Sequence, residues 1–185
     1  MLAQISSNGI LIVRMIKNDV MPEKKTLEAA RRDKRQGKAP STQAGEFVRE
    51  EIEHIRKGKH GARSAKQAIA IGLSKARRAG VELKPPSKGQ TSEKTRRSAE
   101  QAYEKGQRHE PVSSTRSRAR EKALRHESTR SASHAALSRQ AHSAAMERSA
   151  SERSAAARKA AETKGPRERS EAAKKAARTR ARRGH

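Results

Sequence analysis

Ser64-Ala-Lys-Gln-Ala-Ile-Ala-Ile-Gly-Leu-Ser-Lys-Ala-Arg-Arg-Ala-Gly80 reads as a complete helix with both ends specified. Ser64 is a good N-cap, and Gln67 three residues later completes a capping box. Each side chain then satisfies a backbone donor that the first turn leaves free. Gly80 suits the left-handed position after the helix, with Val81 folding back on Ala76 as in a Schellman motif. Ala65, Ile69, Gly72, Leu73 and Ala76 fall at helical spacing and form one apolar stripe. Lys75, Arg77 and Arg78 crowd the C-terminal end, where the helix dipole favours cations.

The partner of this helix precedes it. Over residues 41–57, Ser41 or Thr42 is the expected cap, and Phe47, Val48, Ile52 and Ile55 supply an apolar face. Glu46, Glu50, Glu51 and Glu53 make the other faces acidic, so this helix should face away from a phosphate backbone or pack on the basic helix. Gly58-Lys-His-Gly-Ala-Arg63 is short enough to imply an antiparallel hairpin spanning about residues 41–84. A unit of that size rarely holds itself together without help. Homodimerisation through 41–84, or docking of another segment, is therefore expected.

The flanks are poorer in apolar residues. Residues 21–40 read as a charged helix followed by a linker; Leu27 is its only large aliphatic, which predicts a solvated arm. Pro85-Pro86-Ser-Lys-Gly89 marks a boundary. Residues 90–185 are an Ala/Arg/Ser/Lys-rich tail with nothing to build a core from. The octet Ala156–Thr163 recurs as Ala172–Thr179, and breaks are expected near Gly106, Pro111 and Gly165-Pro166. Such segments are marginal helices when isolated. Residues 1–20 carry the longest aliphatic run, Ile10–Val13, too short to span a bilayer. They read as an extension with a short strand, or as sequence upstream of a start at Met21. The expected fold class is all-α: a small helical hairpin with long, basic, marginally helical or disordered extensions.

Composition limits the function. Of 185 residues 31% are hydrophobic, with one Phe, one Tyr and no Trp, too few to bury the whole chain. Lys and Arg number 45 against 20 acidic residues, a net charge of +25. The excess is spread along the chain: residues 21–87 carry 17 basic and 8 acidic residues, and residues 88–185 carry 26 and 11. Charge of this density repels itself unless a polyanion neutralises it, and nucleic acid is the commonest such partner. No Cys is present, which excludes disulfides, thiolate zinc sites and cysteine nucleophiles. None of the seven histidines shows zinc spacing, and no nucleophile–base–orienter set stands out, so neither a metal, a cofactor nor catalysis is expected. The tail lacks interleaved aromatics, which argues against base stacking and leaves neutralisation of phosphates.

The candidate phosphate contacts follow. Lys59, Arg63 and Lys66 flank a glycine-containing turn that leads into a helix N-terminus, where free amides and the dipole could join them around one phosphate. The turn is not a Walker A loop, because Gly61 is not followed by Lys and a hydroxyl residue. Lys75, Arg77 and Arg78 could meet a duplex backbone. In the tail the candidates are Arg158, Lys159, Lys174, Lys175, Arg178, Arg180, Arg182 and Arg183.

The run Lys66-Gln-Ala-Ile-Ala-Ile-Gly-Leu-Ser-Lys-Ala-Arg-Arg-Ala-Gly80, within Ser41–Gly80, resembles the hallmark of a family of small basic bacterial proteins of uncharacterised function. Related chains open with a Met-Pro-basic segment like that at Met21, so the resemblance implies the later start. It implies no activity. The Lys/Ala-rich tail resembles, in composition, the tails of bacterial proteins similar to linker histones, although it carries more Arg and Ser. The resulting expectation is a non-enzymatic, nucleoid-associated, cytoplasmic protein that binds duplex DNA with little sequence specificity and no membrane partner. The same charge admits an RNA- or ribosome-binding protein, and the acidic helix admits a protein-interaction adaptor.

Overall fold

At Gly72 the two helices of the hairpin approach each other closely. A Cβ there would fall 2.6 Å from the Cα of Val48, so only the missing side chain lets the two backbones meet. The structure, a computed structural model, describes residues 21–184. Residues 1–20, with the expected strand at Ile10–Val13, lie outside the described residues. The described chain is all-α: α1 Lys24–Arg35, α2 Pro40–Arg56, α3 Ala65–Arg78, α4 Glu93–Gln107, α5 Ser114–Arg125, a 3-10 turn Thr129–Ala132, α6 His134–Met146 and α7 Ala150–Arg183. It divides into two units, Met1–Ser138 and Arg139–His185.

In the first unit α3 has the ends its sequence dictates. The Ser64 hydroxyl accepts from the Gln67 amide, while the Gln67 carbonyl oxygen accepts from the Arg63 amide at 2.7 Å, one residue earlier than a capping box requires. At the other end Val81 N–H donates to Ala76 and Gly80 N–H to Arg77, both at 3.1 Å, with Gly80 at φ +86°. This is the Schellman pattern. The buried stripe, however, is Ala65, Ala68, Gly72 and Ala76, with Ile69 only half-buried. Close approach to α2 favours the small side chains on that line and turns the larger one toward the rim. Helix α2 starts at Pro40, with Ala39 at the cap, so neither Ser41 nor Thr42 caps it. Pro40 suits that first position because its missing N–H has no partner to lose there.

The hairpin does not stand alone. Helix α1, expected to be a solvated arm, packs on α2 and buries Thr26, Ala30 and Asp33. Ala30 joins Ala44, Phe47, Ala76 and Val81 in one core, with Leu27, Leu73 and Leu83 at its edge. A second core joins Ile52, Ile55, Ala62 and Ala68 to Ala132, with Val48 and Leu137 alongside. Part of the region after Pro86 therefore does supply core. Helix α4 packs on α3 through Ala99, Ala102 and Gly106, and a Cβ on Gly106 would collide with the Arg77 carbonyl. Backbone approach at glycine substitutes here for large apolar side chains. Fully burying Phe47 and Ile55 contributes about 1.5–3 kcal/mol each.

The second unit buries almost nothing. Helix α7 has no buried residue, and its order rests on local devices. Ser149 and Glu152 form a complete capping box, Gly165 at φ +67° interrupts the helix before Pro166, and Gly184 closes it in the left-handed conformation. The break at Gly165-Pro166 is where proline restricts the residue before it.

Two glycine substitutions should act oppositely in urea unfolding. Gly106→Ala should destabilise the first unit by about 1–3 kcal/mol through the collision with Arg77. Gly45→Ala, where a Cβ meets nothing within 4 Å, should stabilise it by about 0.5–1 kcal/mol.

Candidate nucleic-acid interface

The cations on and around α3 are not equivalent. Lys66 and Arg63 are exposed. Lys59 lies 3.5 Å from the Glu23 carboxylate. Arg78 donates to the carbonyls of Glu110 and Pro111 at 3.2 and 3.3 Å. Arg77 is buried and donates to the carbonyls of Leu83 and Lys84 at 3.1 and 3.4 Å. Burial draws its guanidinium below the ordinary arginine value. Lys75 reaches the fully buried Glu51 at 2.8 Å. Lys75, Arg77 and Arg78 were expected to meet a duplex; Lys75 and Arg77 instead neutralise or bridge groups of the fold. The reason is positional: the last turn of α3 is covered by the 81–84 segment, α4 and the 110–111 turn.

The phosphate cradle expected at Gly58–Arg63 is likewise spoken for. Gly61 N–H donates to Leu124 and Ala62 N–H to Ser128, at 2.9 and 3.1 Å. The Arg63 amide serves Gln67, and the Gln67 amide serves Ser64. A Cβ on Gly61 would overlap the Glu127 backbone, so residues 124–128 occupy the space an anion would need. These partners come from more than 60 residues away and have no local signature in the sequence.

The tail differs. Arg158, Lys159, Lys174, Lys175, Arg178, Arg180, Arg182 and Arg183 are all exposed, and among the described residues none is held in an ion pair. Lys174, Arg178 and Arg182 recur every four residues, which aligns them on one face of the helix that follows Pro166. That helix, residues 166–183, is about 27 Å long. Its early Glu168 and Glu171 and late Arg180, Arg182 and Arg183 accord with the dipole.

A second cluster was not visible from sequence. Helix α2 carries Glu50, Glu51 and His54 inward, all buried, and His60 from the connection to α3 is buried beside them. The acidic outer face expected for α2 is therefore half internal: its two central carboxylates point into the fold. His54 Nε2 lies 2.9 Å from Glu23 Oε1, which precedes α1, and 3.8 Å from Glu50 Oε1. The Glu23 backbone N–H donates to Glu50 Oε1 at 3.1 Å. The hydrogen bond with His54, and then that from Lys25, holds the Glu23 carboxyl down at about 2. His60 Nε2 lies 3.4 Å from Glu51 Oε1, and the two imidazoles meet edge to face with centroids 6.4 Å apart. One ligand atom each from Glu51, His54 and His60 fall within 4.8 Å of one another. The available signal was Glu51-x-x-His54, a carboxylate and an imidazole one turn apart on a helix face.

No family model matches the chain, and neither a curated protein nor a solved structure matches it. No described helix is long and apolar enough to cross a membrane.

Replacing Arg77 tests the division between internal and outward cations. Arg77→Met should lower stability by about 1–3 kcal/mol, because the Leu83 and Lys84 carbonyls lose their donor. It should leave the salt dependence of polyanion binding unchanged, as read from thermal unfolding and a parallel binding titration.

Proposed function

We propose that this protein binds duplex DNA without catalysis, through its basic C-terminal tail, as a nucleoid-associated protein of low sequence specificity. The observation that carries the reading is that the cations of Ala150–Arg183 are all exposed, the eight named above being in no ion pair among the described residues, on a helix that buries nothing. A helix that contributes no core and carries its charge outward has a surface matched to phosphate, not to an apolar partner. Residues 139–185 hold fourteen Lys and Arg against five Glu.

The preference for B-form DNA rests on shape. Its major groove admits an α-helix, whereas the deep, narrow major groove of A-form RNA does not. Single strands are disfavoured because the tail offers no aromatic ring for stacking. Isolated in water, helices of this kind are marginal. Neutralising Lys174, Lys175, Arg178, Arg180, Arg182 and Arg183 against phosphates removes their mutual repulsion and should raise helicity. The Gly165-Pro166 break gives two short helical arms, either of which can follow a backbone separately. The first unit contributes Lys66 and Arg63 as secondary contacts at the start of α3.

Binding of the full chain to a duplex oligonucleotide, measured against salt, tests this. Log affinity should fall linearly with log salt, with a slope of about −5 to −7 if six to eight phosphates are engaged. Deleting 139–185 should remove most of that slope. Affinity that is insensitive to salt, or a slope unchanged by the deletion, would overturn the proposal. Tighter binding to structured RNA at equal salt would transfer it to RNA.

A further inference from the structure

The His54 ring has a partner on one side only. Its Nε2 faces the Glu23 carboxylate, which accepts but does not donate, so Nε2 carries the proton. In the neutral ring Nδ1 is then a bare lone pair, and it is buried with no hydrogen-bond partner. His60 is arranged alike. Its Nδ1 donates to the Gly61 carbonyl at 3.1 Å, so in the neutral ring Nε2 is a lone pair 3.4 Å from Glu51 Oε1. Glu51 is fully buried. Lys75 Nζ lies 2.8 Å from its Oε2, yet neither carboxylate oxygen receives an aligned hydrogen bond. Three acceptor groups thus converge out of water, and each buried acceptor left without a donor costs about 1–3 kcal/mol. A cation among them would offset that cost.

We propose that Glu51, His54 and His60 bind a divalent transition-metal ion of the zinc class. Two imidazoles and one carboxylate suit zinc and its neighbours and disfavour magnesium and calcium, which take oxygen ligands. The far nitrogen of each imidazole already donates to a carboxylate (Glu23) or a carbonyl (Gly61), the arrangement that fixes tautomer and orientation in metal-ligating histidines. Lys75 is the competing occupant. Its ammonium gives Glu51 one positive charge but leaves the imidazole lone pairs unused, and at 17% exposure it has a path to solvent. Three protein donors leave a fourth position for water. The ion would tie α2 to the connection leading into α3 and, through Glu23, to the start of α1.

The test uses the full chain, stripped of metal with a chelator and titrated with Zn²⁺, then with Co²⁺ as a spectroscopic substitute. Long-range ¹⁵N–¹H spectra of the histidine rings should show one equivalent of Zn²⁺ shifting His54 Nδ1 and His60 Nε2, with the exposed His134 and His142 unmoved. Co²⁺ should give the intense visible absorption of a tetrahedral site, lost in Glu51→Gln and His60→Gln. Glu23→Gln should bind Zn²⁺ about 10–100-fold more weakly, and Lys75→Met more tightly. No movement of the His54 and His60 resonances in the unmutated protein would overturn the proposal, whatever the variants do. So would a cobalt spectrum that Glu51→Gln leaves intact.

Discussion

The contact of Gly72 with the Val48 backbone sets the terms for the rest of the fold. A chain with one Phe and no Trp cannot fill wide gaps between helices. It buries apolar surface best where backbones come close, because a gap of about 0.5–1 Å already forfeits a quarter to a half of a dispersion contact. Glycine permits that approach three times: Gly72 against α2, Gly61 against residues 127–128, and Gly106 against the end of α3. Between these points the core is mostly alanine, with Phe47 and Ile55 as its two large, fully buried apolar side chains. The contacts at Gly106 and Gly61 draw in α4 and residues 127–128, and α1 joins through Ala30 on the Phe47 core, so a hairpin too small to be stable alone gains partners distant in sequence.

The same packing sorts the charges. Inside the first unit, cations have structural partners: Lys75 with Glu51, Lys38 with Asp33, Arg77 and Arg78 with carbonyls, and Arg56 with the Ala132 carbonyl at 2.9 Å. A buried charge must be matched where it lies, and removing one partner strands the other. In α7 nothing is buried, so nothing needs internal matching and the cations remain available. Among the described residues the charges thus fall into one population matched inside the fold and another left exposed, which includes every cation of α7. The Glu51–His54–His60 cluster belongs to the first population and has more lone pairs than Lys75 alone can satisfy.

The parts legible in the sequence are those governed by neighbours a few residues apart. The Ser64 cap, the Schellman end at Gly80-Val81, the apolar face through Phe47 and Ile55, and the break at Gly165-Pro166 all depend on local rules, and all are found. The rest depends on distance. That Ala68 and not Ile69 lies innermost follows from how close α2 comes, which hydrophobic periodicity does not report. That Glu50 and Glu51 are internal contradicts the rule that carboxylates mark the wet face, and only partners at positions 23, 60 and 75 explain it. Helix α4 looked like tail because Ala99, Ala102 and Gly106 carry little hydrophobic signal, although small size is what lets them pack. For the candidate interface, exposure of the tail cations was legible because no apolar stripe accompanies them. The internal use of Lys75 and Arg77 was not.

The central claim is that folding and nucleic-acid binding are divided between the two units. Residue-resolved amide exchange of the full chain, with and without duplex DNA at low salt, addresses it most directly. The account predicts strong protection of the Gly61, Ala62 and Val81 amides in the free protein, little changed by DNA, and fast exchange through 150–183 that slows when DNA is added. Fast exchange at Gly61 and Ala62 in the free protein, or slowing on DNA confined to residues 58–78 with the tail unaffected, would contradict it.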